Sequence, residues 1–123
     1  MIINTEKAPK AIGPYVQGIR FNDMIFTSGQ LGINPETNML EEGIEAQTHQ
    51  SLKNLKAILE EAGSDMNHVL KTTVYVKNMA DFGTVNSIYS QYFSTYPARS
   101  CVEVAKLPKD GLVEIECIAY KIV

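Results

Sequence analysis

The chain has 123 residues, 45% of them hydrophobic and 20% charged, and a net charge of −3 from 11 Lys+Arg against 14 Asp+Glu. This is the size and composition of one globular domain; it excludes a disordered chain, and no run approaches the ~20 apolar residues of a membrane span. The lysines are scattered, so no cationic patch exists to neutralise nucleic-acid phosphates, while the start, Met1-Ile2-Ile3-Asn4-Thr5-Glu6-Lys7, lacks the basic flank and apolar run of a secretory signal.

The first predicted elements are two short strands. Residues 15–21 alternate Tyr15/Gln17/Ile19/Phe21 against Val16/Gly18/Arg20, and 24–31 follow after Asn22-Asp23, a hairpin signal. Asn34-Pro35-Glu36-Thr37-Asn38 reads as a turn. An amphipathic helix is predicted over 43–62. Ile44, Thr48, Leu52, Leu55, Leu59 and Ala62 recur at three- and four-residue spacing, Gly63 supplies the residue after the C-cap, and Glu45, His49, Lys53, Lys56 and Glu60 form a solvated face. A β-branched strand is expected at 69–77. A second helix is expected from Asp81, as N-cap, to about Phe93, with Phe82, Val85, Ile88, Tyr89, Tyr92 and Phe93 on its apolar side.

The last third reads as a hairpin, with 100–107 and 112–122 flanking Pro108-Lys109-Asp110-Gly111. Leu107 opposite Leu112 would set Glu103 against Glu116, a like-charge pair; a shift of one residue sets Lys106 opposite Glu114. Both registers stay open. In the final strand Val113, Ile115, Cys117 and Ala119 suit burial under helices. The other side, Leu112, Glu114, Glu116, Ile118, Tyr120 and Ile122, is apolar at its ends and acidic between. Two helices cover only one face of such a sheet, so an oligomer using the helix-free face is expected.

Common site signatures are missing. Gly29-Gln30-Leu31-Gly32 has neither the spacing of a phosphate loop nor a helix after it. His49 and His68 are isolated, one on the solvated helix face and one ahead of a strand. Cys101 and Cys117 sit in apolar runs without a near partner, as reduced thiols of a cytoplasmic protein, and no ligands stand at zinc spacing. No metal or cofactor is therefore expected. Arginine occurs only at Arg20 and Arg99, and Arg99 lies between Pro97 and the apolar run of Val102 and Val104. A guanidinium there is either the anchor of a carboxylate ligand or the partner of Glu103, Glu114 or Glu116, and residue pattern alone favours the ion pair. Glu114 and Glu116 are either solvated carboxylates or proton handlers in a cleft. Cys101 fits a small buried hydrophobe, Tyr15 fits core or pocket wall, and Asn86 lies mid-helix.

Ala11-Ile12-Gly13-Pro14-Tyr15, Thr27-Ser28-Gly29-Gln30, Lys71-Thr72-Thr73-Val74-Tyr75-Val76, Pro97-Ala98-Arg99-Ser100-Cys101-Val102-Glu103-Val104, Leu107-Pro108-Lys109-Asp110 and Val113-Glu114-Ile115-Glu116 together resemble the RidA/YjgF family of reactive-intermediate deaminases. The resemblance runs over essentially the whole chain, as one RidA-like domain over residues 1–123. It implies a chorismate-mutase-like α+β fold: a two-layer sandwich with a mixed six-stranded sheet and two helices on one face. It also implies a homotrimer with a central barrel and three intersubunit clefts. The implied activity is hydrolysis of 2-iminobutanoate and 2-iminopropanoate to 2-oxo acids and ammonia, with no cofactor. Arg99 would clamp the substrate carboxylate and Glu114 would orient the attacking water or exchange a proton with it. The backbone of Gly29 and of Cys101 would hydrogen-bond the ligand, and Tyr15 and Asn86 would complete the wall. Ser94-Thr95-Tyr96 is a few residues shorter than in many relatives, so the resemblance carries reaction type further than substrate preference. The other functions weighed are a ribonuclease or translation inhibitor, and a non-catalytic metabolite-binding or chaperone-like trimer.

Overall fold

The computed structural model describes residues 1–122. Helix α1, Gly43–Glu61, lies where the three- and four-residue spacing puts it, and its end is a Schellman motif. Gly63 takes φ +84°, its N–H donates to Glu60 O at 3.2 Å, and Ser64 N–H donates to Leu59 O at 2.8 Å. Leu52, Leu55, Ile58 and Leu59 are buried against the sheet. The same helix buries polar residues that the apolar stripe did not reveal. Asn54 Nδ2 donates to Leu31 O and Ile33 O at 3.2 and 2.9 Å, Ser51 Oγ donates to Gln30 O at 2.7 Å, and Gln47 Oε1 accepts from Leu112 N–H at 2.8 Å. These side chains tie the backbone at residues 30, 31, 33 and 112 to the helix.

Strands β1 (Ile2–Ile3), β2 (Gly18–Phe21), β3 (Met24–Thr27), β4 (Gln30–Leu31), β7 (Val69–Val76), β8 (Ala98–Glu103) and β9 (Val113–Tyr120) form one mixed sheet. The turn Asn22-Asp23 joins β2 to β3 as expected, with Asn22 at φ 54°. Strands β3 and β4 are one strand interrupted by a bulge. Phe26 pairs with Ile118 and Gln30 with Ile115, so Thr27, Ser28 and Gly29 stand against only Glu116 and Cys117. The Thr27 hydroxyl fills the gap by accepting from Cys117 N–H at 3.0 Å. Counted this way the sheet has six strands, in the order β1, β2, β3/β4, β9, β7, β8. A separate ribbon, β5 (Ile33–Asn34) with β6 (Met39–Leu40), closes around the turn at 34–38.

The expected C-terminal hairpin does not form, so neither proposed register exists. Strand β8 pairs in parallel with β7, and β9 pairs antiparallel with the other edge of β7. Glu103 and Val113 are both register partners of Val76. The connection 104–112 therefore steps over the end of β7 instead of turning beside β8, with Lys109 and Asp110 both left-handed at φ 57° and 58°. The local Pro-Lys-Asp-Gly signal is a real bend, but the edges of the Val/Thr-rich β7 capture both flanking strands.

Helix α2, Phe82–Tyr89, is shorter than predicted and is not capped by Asp81. Asn78 caps the preceding 3-10 turn instead, its Oδ1 accepting from Ala80 N–H at 2.9 Å. Both helices pack on one face of the sheet, where Ile25, Val74, Val76, Val113, Ile115 and Ala119 are completely buried. Gly32 marks the tightest approach to α1: a Cβ there would lie 2.4 Å from both Cα and O of Gln47. Gly32→Ala forces backbone apart and should cost about 3 kcal/mol. Thermal melting would show it as a fall in Tm of roughly 10 °C, and an unchanged Tm would contradict that contact.

Candidate active site

Alternation on β9 decides where the candidate residues point. Val113, Ile115, Cys117 and Ala119 face the helices, while Glu114 and Glu116 face the helix-free side, as expected. The parallel register then places Arg99 and Cys101 on the opposite, helix-covered side, level with the buried Thr72 and Val74. Arg99 and Glu114 of one protomer thus lie on opposite faces of their sheet. The predicted residues fall into two groups.

The first group surrounds Glu114. Its pocket is lined by Tyr15, Gly29, Lys10, Asn38 and Lys109, among others. The bulge at 27–29 carries Gly29 directly over the carboxyl, so that a Cβ on Gly29 would sit 2.8 Å from Glu114 Cδ. Ser28 and Gln17 hold the pocket wall. Ser28 Oγ donates to Val16 O at 2.6 Å, Gln17 Nε2 donates to Thr5 O at 3.0 Å and Pro9 O at 2.9 Å, and Gln17 Oε1 accepts from Thr5 N–H at 2.7 Å. Leu31, Ile33 and Leu107, with Leu40, Tyr75 and Val104, form a small apolar cluster that covers this end of the helix-free face. Burial raises the Glu114 carboxyl above its ordinary proton affinity, and the neighbouring Glu116 charge adds to the rise. Tyr75 OH donates to Glu116 Oε1 at 3.3 Å.

The second group surrounds Arg99, in a pocket lined by Asn86, Tyr89, Ser90, Tyr96 and Pro97. Arg99 Nη1 donates to Asn86 Oδ1 at 2.7 Å, and its Cζ lies 4.9 Å from the Tyr89 ring centroid and 5.4 Å from that of Phe82. The ion pairs found among the described residues are Lys56–Glu60, His68–Asp65 and Lys106–Asp110; none involves Arg99. The expected pairing of Arg99 with Glu103, Glu114 or Glu116 is absent there, and Glu103 instead accepts from Met79 N–H at 2.8 Å. The guanidinium is held by a neutral amide and two aromatic faces, which leaves its charge for an incoming anion. Asn86, expected against the ligand, is bonded to the arginine. Phe82 and Tyr89 escaped notice because their spacing on α2 is also that of ordinary core residues.

Neither thiol is primed as a nucleophile. Burial pushes Cys117 up to about 12, and burial raises Cys101 too, against an opposing pull from Arg99. His49 Nδ1 lies 2.8 Å from Tyr92 OH and His68 Nδ1 lies 2.6 Å from Asp65 Oδ1, so each histidine has a structural partner of its own. Among the described residues, no group of three or more His, Cys, Asp or Glu side chains is arranged to hold a metal ion, and no helix is long and apolar enough to cross a membrane.

Comparison with known proteins gives the same picture over the full fold. Residues 5–121 match the family model described as Endoribonuclease L-PSP. The chain is 53% identical to the 2-iminobutanoate/2-iminopropanoate deaminase of Salmonella typhimurium over 97% of its own length and 96% of that protein's. It is also 53% identical to a RutC family protein of Pyrococcus abyssi, covering 98% of this chain and 96% of the other. The crystal structure of Escherichia coli TdcF with bound serine superposes with a TM-score of 0.97 at 46% identity, covering 99% of both chains. The Escherichia coli YjgF gene product superposes with a TM-score of 0.95 at 51% identity, again over 99% of each. With the fold, the bulge-borne Gly29 over Glu114 and the uncompensated Arg99 all in place, the chain belongs to the RidA/YjgF family.

Proposed function

We propose that this protein hydrolyses small 2-imino acids, 2-iminobutanoate and 2-iminopropanoate, to the corresponding 2-oxo acids and ammonia. The observation that carries this reading is Arg99, a guanidinium fixed by Asn86, Tyr89 and Phe82 with no carboxylate opposite it among the described residues. Its planar fork matches the carboxylate of such a substrate. Glu114, ionised, then orients a water and takes its proton as the water oxygen bonds to the imine carbon. That proton passes to the nitrogen, and the resulting carbinolamine closes to C=O, its hydroxyl proton moving to the nitrogen as the C–N bond breaks and ammonia leaves. Gly29 and Cys101 N–H groups serve as ligand donors, and Tyr15 closes the rim. Imines of this kind react with water unaided, so positioning and charge neutralisation are what the protein must add. The name Endoribonuclease L-PSP raises the alternative of RNA cleavage. The net charge of −3 and two histidines engaged by Tyr92 and Asp65 favour the small anion instead.

Because Arg99 and Glu114 face opposite sides of one sheet, the reading requires two copies per site, and we assign the protein to a homotrimer. Its helix-free face supports this. Ile2, Ile19, Phe26 and Ile118 form one row of register partners across four strands, and Phe21, Met24 and Tyr120 form the next. Phe26 is 44% exposed and Ile19 45%, an apolar surface that water disfavours. The two free thiols fit a reducing cytoplasm.

Subunit mixing tests both parts. Arg99→Ala and Glu114→Gln are each expected to be nearly inactive in the removal of oxidase-generated imine, followed by semicarbazide trapping. Co-refolded in equal amounts, they should regain about a quarter of wild-type activity, the random share of sites pairing an intact Arg99 with a neighbour's intact Glu114. Two inactive variants whose mixture stays inactive would place both residues in one protomer's site.

A further inference from the structure

What holds the Arg99 head group also needs holding. Phe82, Asn86 and Tyr89 present one face of α2 to the guanidinium, and Tyr89 gives it the nearer ring, 4.9 Å from Cζ. Tyr89 packs beside Phe93, with ring centroids 4.5 Å apart at 37°. Its hydroxyl lies 2.7 Å from Thr72 Oγ1, inside the protein. Thr72 is completely buried on β7, and it is the register partner of Arg99 on β8. The contacts therefore close a ring: from the Arg99 backbone across one rung of the sheet to Thr72, through its hydroxyl to Tyr89, and from the Tyr89 face back to the Arg99 guanidinium.

Packing alone does not call for this arrangement. Valine and phenylalanine would fill the same volumes without any polar atom to satisfy. Two hydroxyls that partner each other in the core fix the rotation and height of the Tyr89 ring relative to the strand from which Arg99 departs.

We propose that the Thr72–Tyr89 hydroxyl pair is a positioning device for Arg99, which sets how tightly the protein holds a carboxylate without touching the ligand itself. This rests on the reading of Arg99 as the carboxylate anchor. A shift of the ring lets the guanidinium swing about its Asn86 bond, so that one arm of the fork is lost while Glu114 and its water are unaffected. The expected signature is a weaker KM with kcat preserved.

The probe is 2-oxobutanoate, the unreactive product carboxylate, titrated calorimetrically into the assembled protein, with thermal melting as the check on folding. Tyr89→Phe and Thr72→Val remove the same bond from its two ends. Each should weaken 2-oxobutanoate by about three- to tenfold and raise KM in proportion at unchanged kcat. Thr72→Ser, which keeps the hydroxyl, should bind as the wild type does. The double variant should bind no more weakly than the worse single variant, because only one bond is lost. Affinity left intact in Tyr89→Phe and Thr72→Val, while Arg99→Ala loses it, overturns this proposal alone. Affinity left intact in Arg99→Ala overturns the anchor reading and this proposal with it. A loss of kcat equal to the rise in KM would make the pair part of the general scaffold and would equally overturn it.

Discussion

Arg99→Ala is expected to lower kcat/KM for 2-iminobutanoate by about two orders of magnitude, the worth of a charge-assisted bidentate contact of about 3 kcal/mol. Asn86 is neutral, and the rings of Phe82 and Tyr89 have negative faces that repel a carboxylate once the cation is gone. Lys10 and Lys109, which a second copy would bring with its Glu114 pocket, are exposed ammonium groups without the planar fork. Arg99→Lys should recover little of the loss. An ammonium offers no planar fork, and it forfeits the stacking that now fixes the head group. The fold should survive both changes, since Arg99 takes part in no ion pair among the described residues. Semicarbazone yield from oxidase-generated imine measures the effect, and an Arg99→Ala protein that clears imine at the wild-type rate would refute the clamp.

Glu114→Gln is expected to lower kcat by about 10²- to 10⁴-fold, the range for losing a general base, with KM little changed. Glutamine keeps the shape beneath Gly29 but takes no proton from water. The wild type carries the companion signature in its pH profile. Glu114 must be ionised to act as base, and burial together with Glu116 raises its proton affinity. Activity should therefore fall as pH drops through a value above the usual carboxylate range, and that limb should be absent from the residual activity of Glu114→Gln. Glu116→Gln removes the like charge and should move the limb to lower pH. The same group bears on stability. A carboxyl whose folded proton affinity is raised stabilises the fold fully only below its unfolded pKa and loses that contribution as pH rises through the folded one. Hence Glu114→Gln should gain in Tm over the wild type as pH increases through that window. A wild-type pH profile flat through the acid range would remove Glu114 from the role of base.

Much of this was legible in the sequence where local rules decide. The long helix announced itself through Leu52, Leu55 and Leu59 and stopped at Gly63, because amphipathic spacing and a left-handed glycine are local properties. The facing of Glu114 followed from simple alternation in β9. Arg99 stood out by scarcity and by its neighbours. The misread parts depend on contacts distant in sequence. Pro108 to Gly111 bends the chain as predicted, yet which strand lies beside β8 is settled by β7, some thirty residues earlier in the chain. For the same reason the sequence did not reveal that Arg99 and Glu114 look out on opposite faces; that requires the parallel rung joining Thr72 to Arg99. The arginine's aromatic clamp was hidden differently. Phe82 and Tyr89 belong to the core pattern of α2, and nothing in their spacing separates a ring that packs from a ring that also steers a charge.

The one-residue excess at 27–29 has a consequence for how this strand can change. It reverses the parity of the chain: Met24 and Phe26, at even positions, look out on the helix-free face, whereas beyond the excess residue that side passes to odd positions such as Leu31. One continuous stretch thus presents two surfaces in opposite phase, the exposed Phe26 before the slip and the pocket-lining Leu31 after it. Substitutions in either half leave the other's facing untouched. Deleting any single residue from the slip would instead restore unbroken alternation, with Gln30 still toward the helices and Leu31 still toward the open side, and would remove the excursion that carries Gly29 over the Glu114 carboxyl. A shortened segment should therefore keep its fold and its facing and lose the close approach of Gly29 to Glu114.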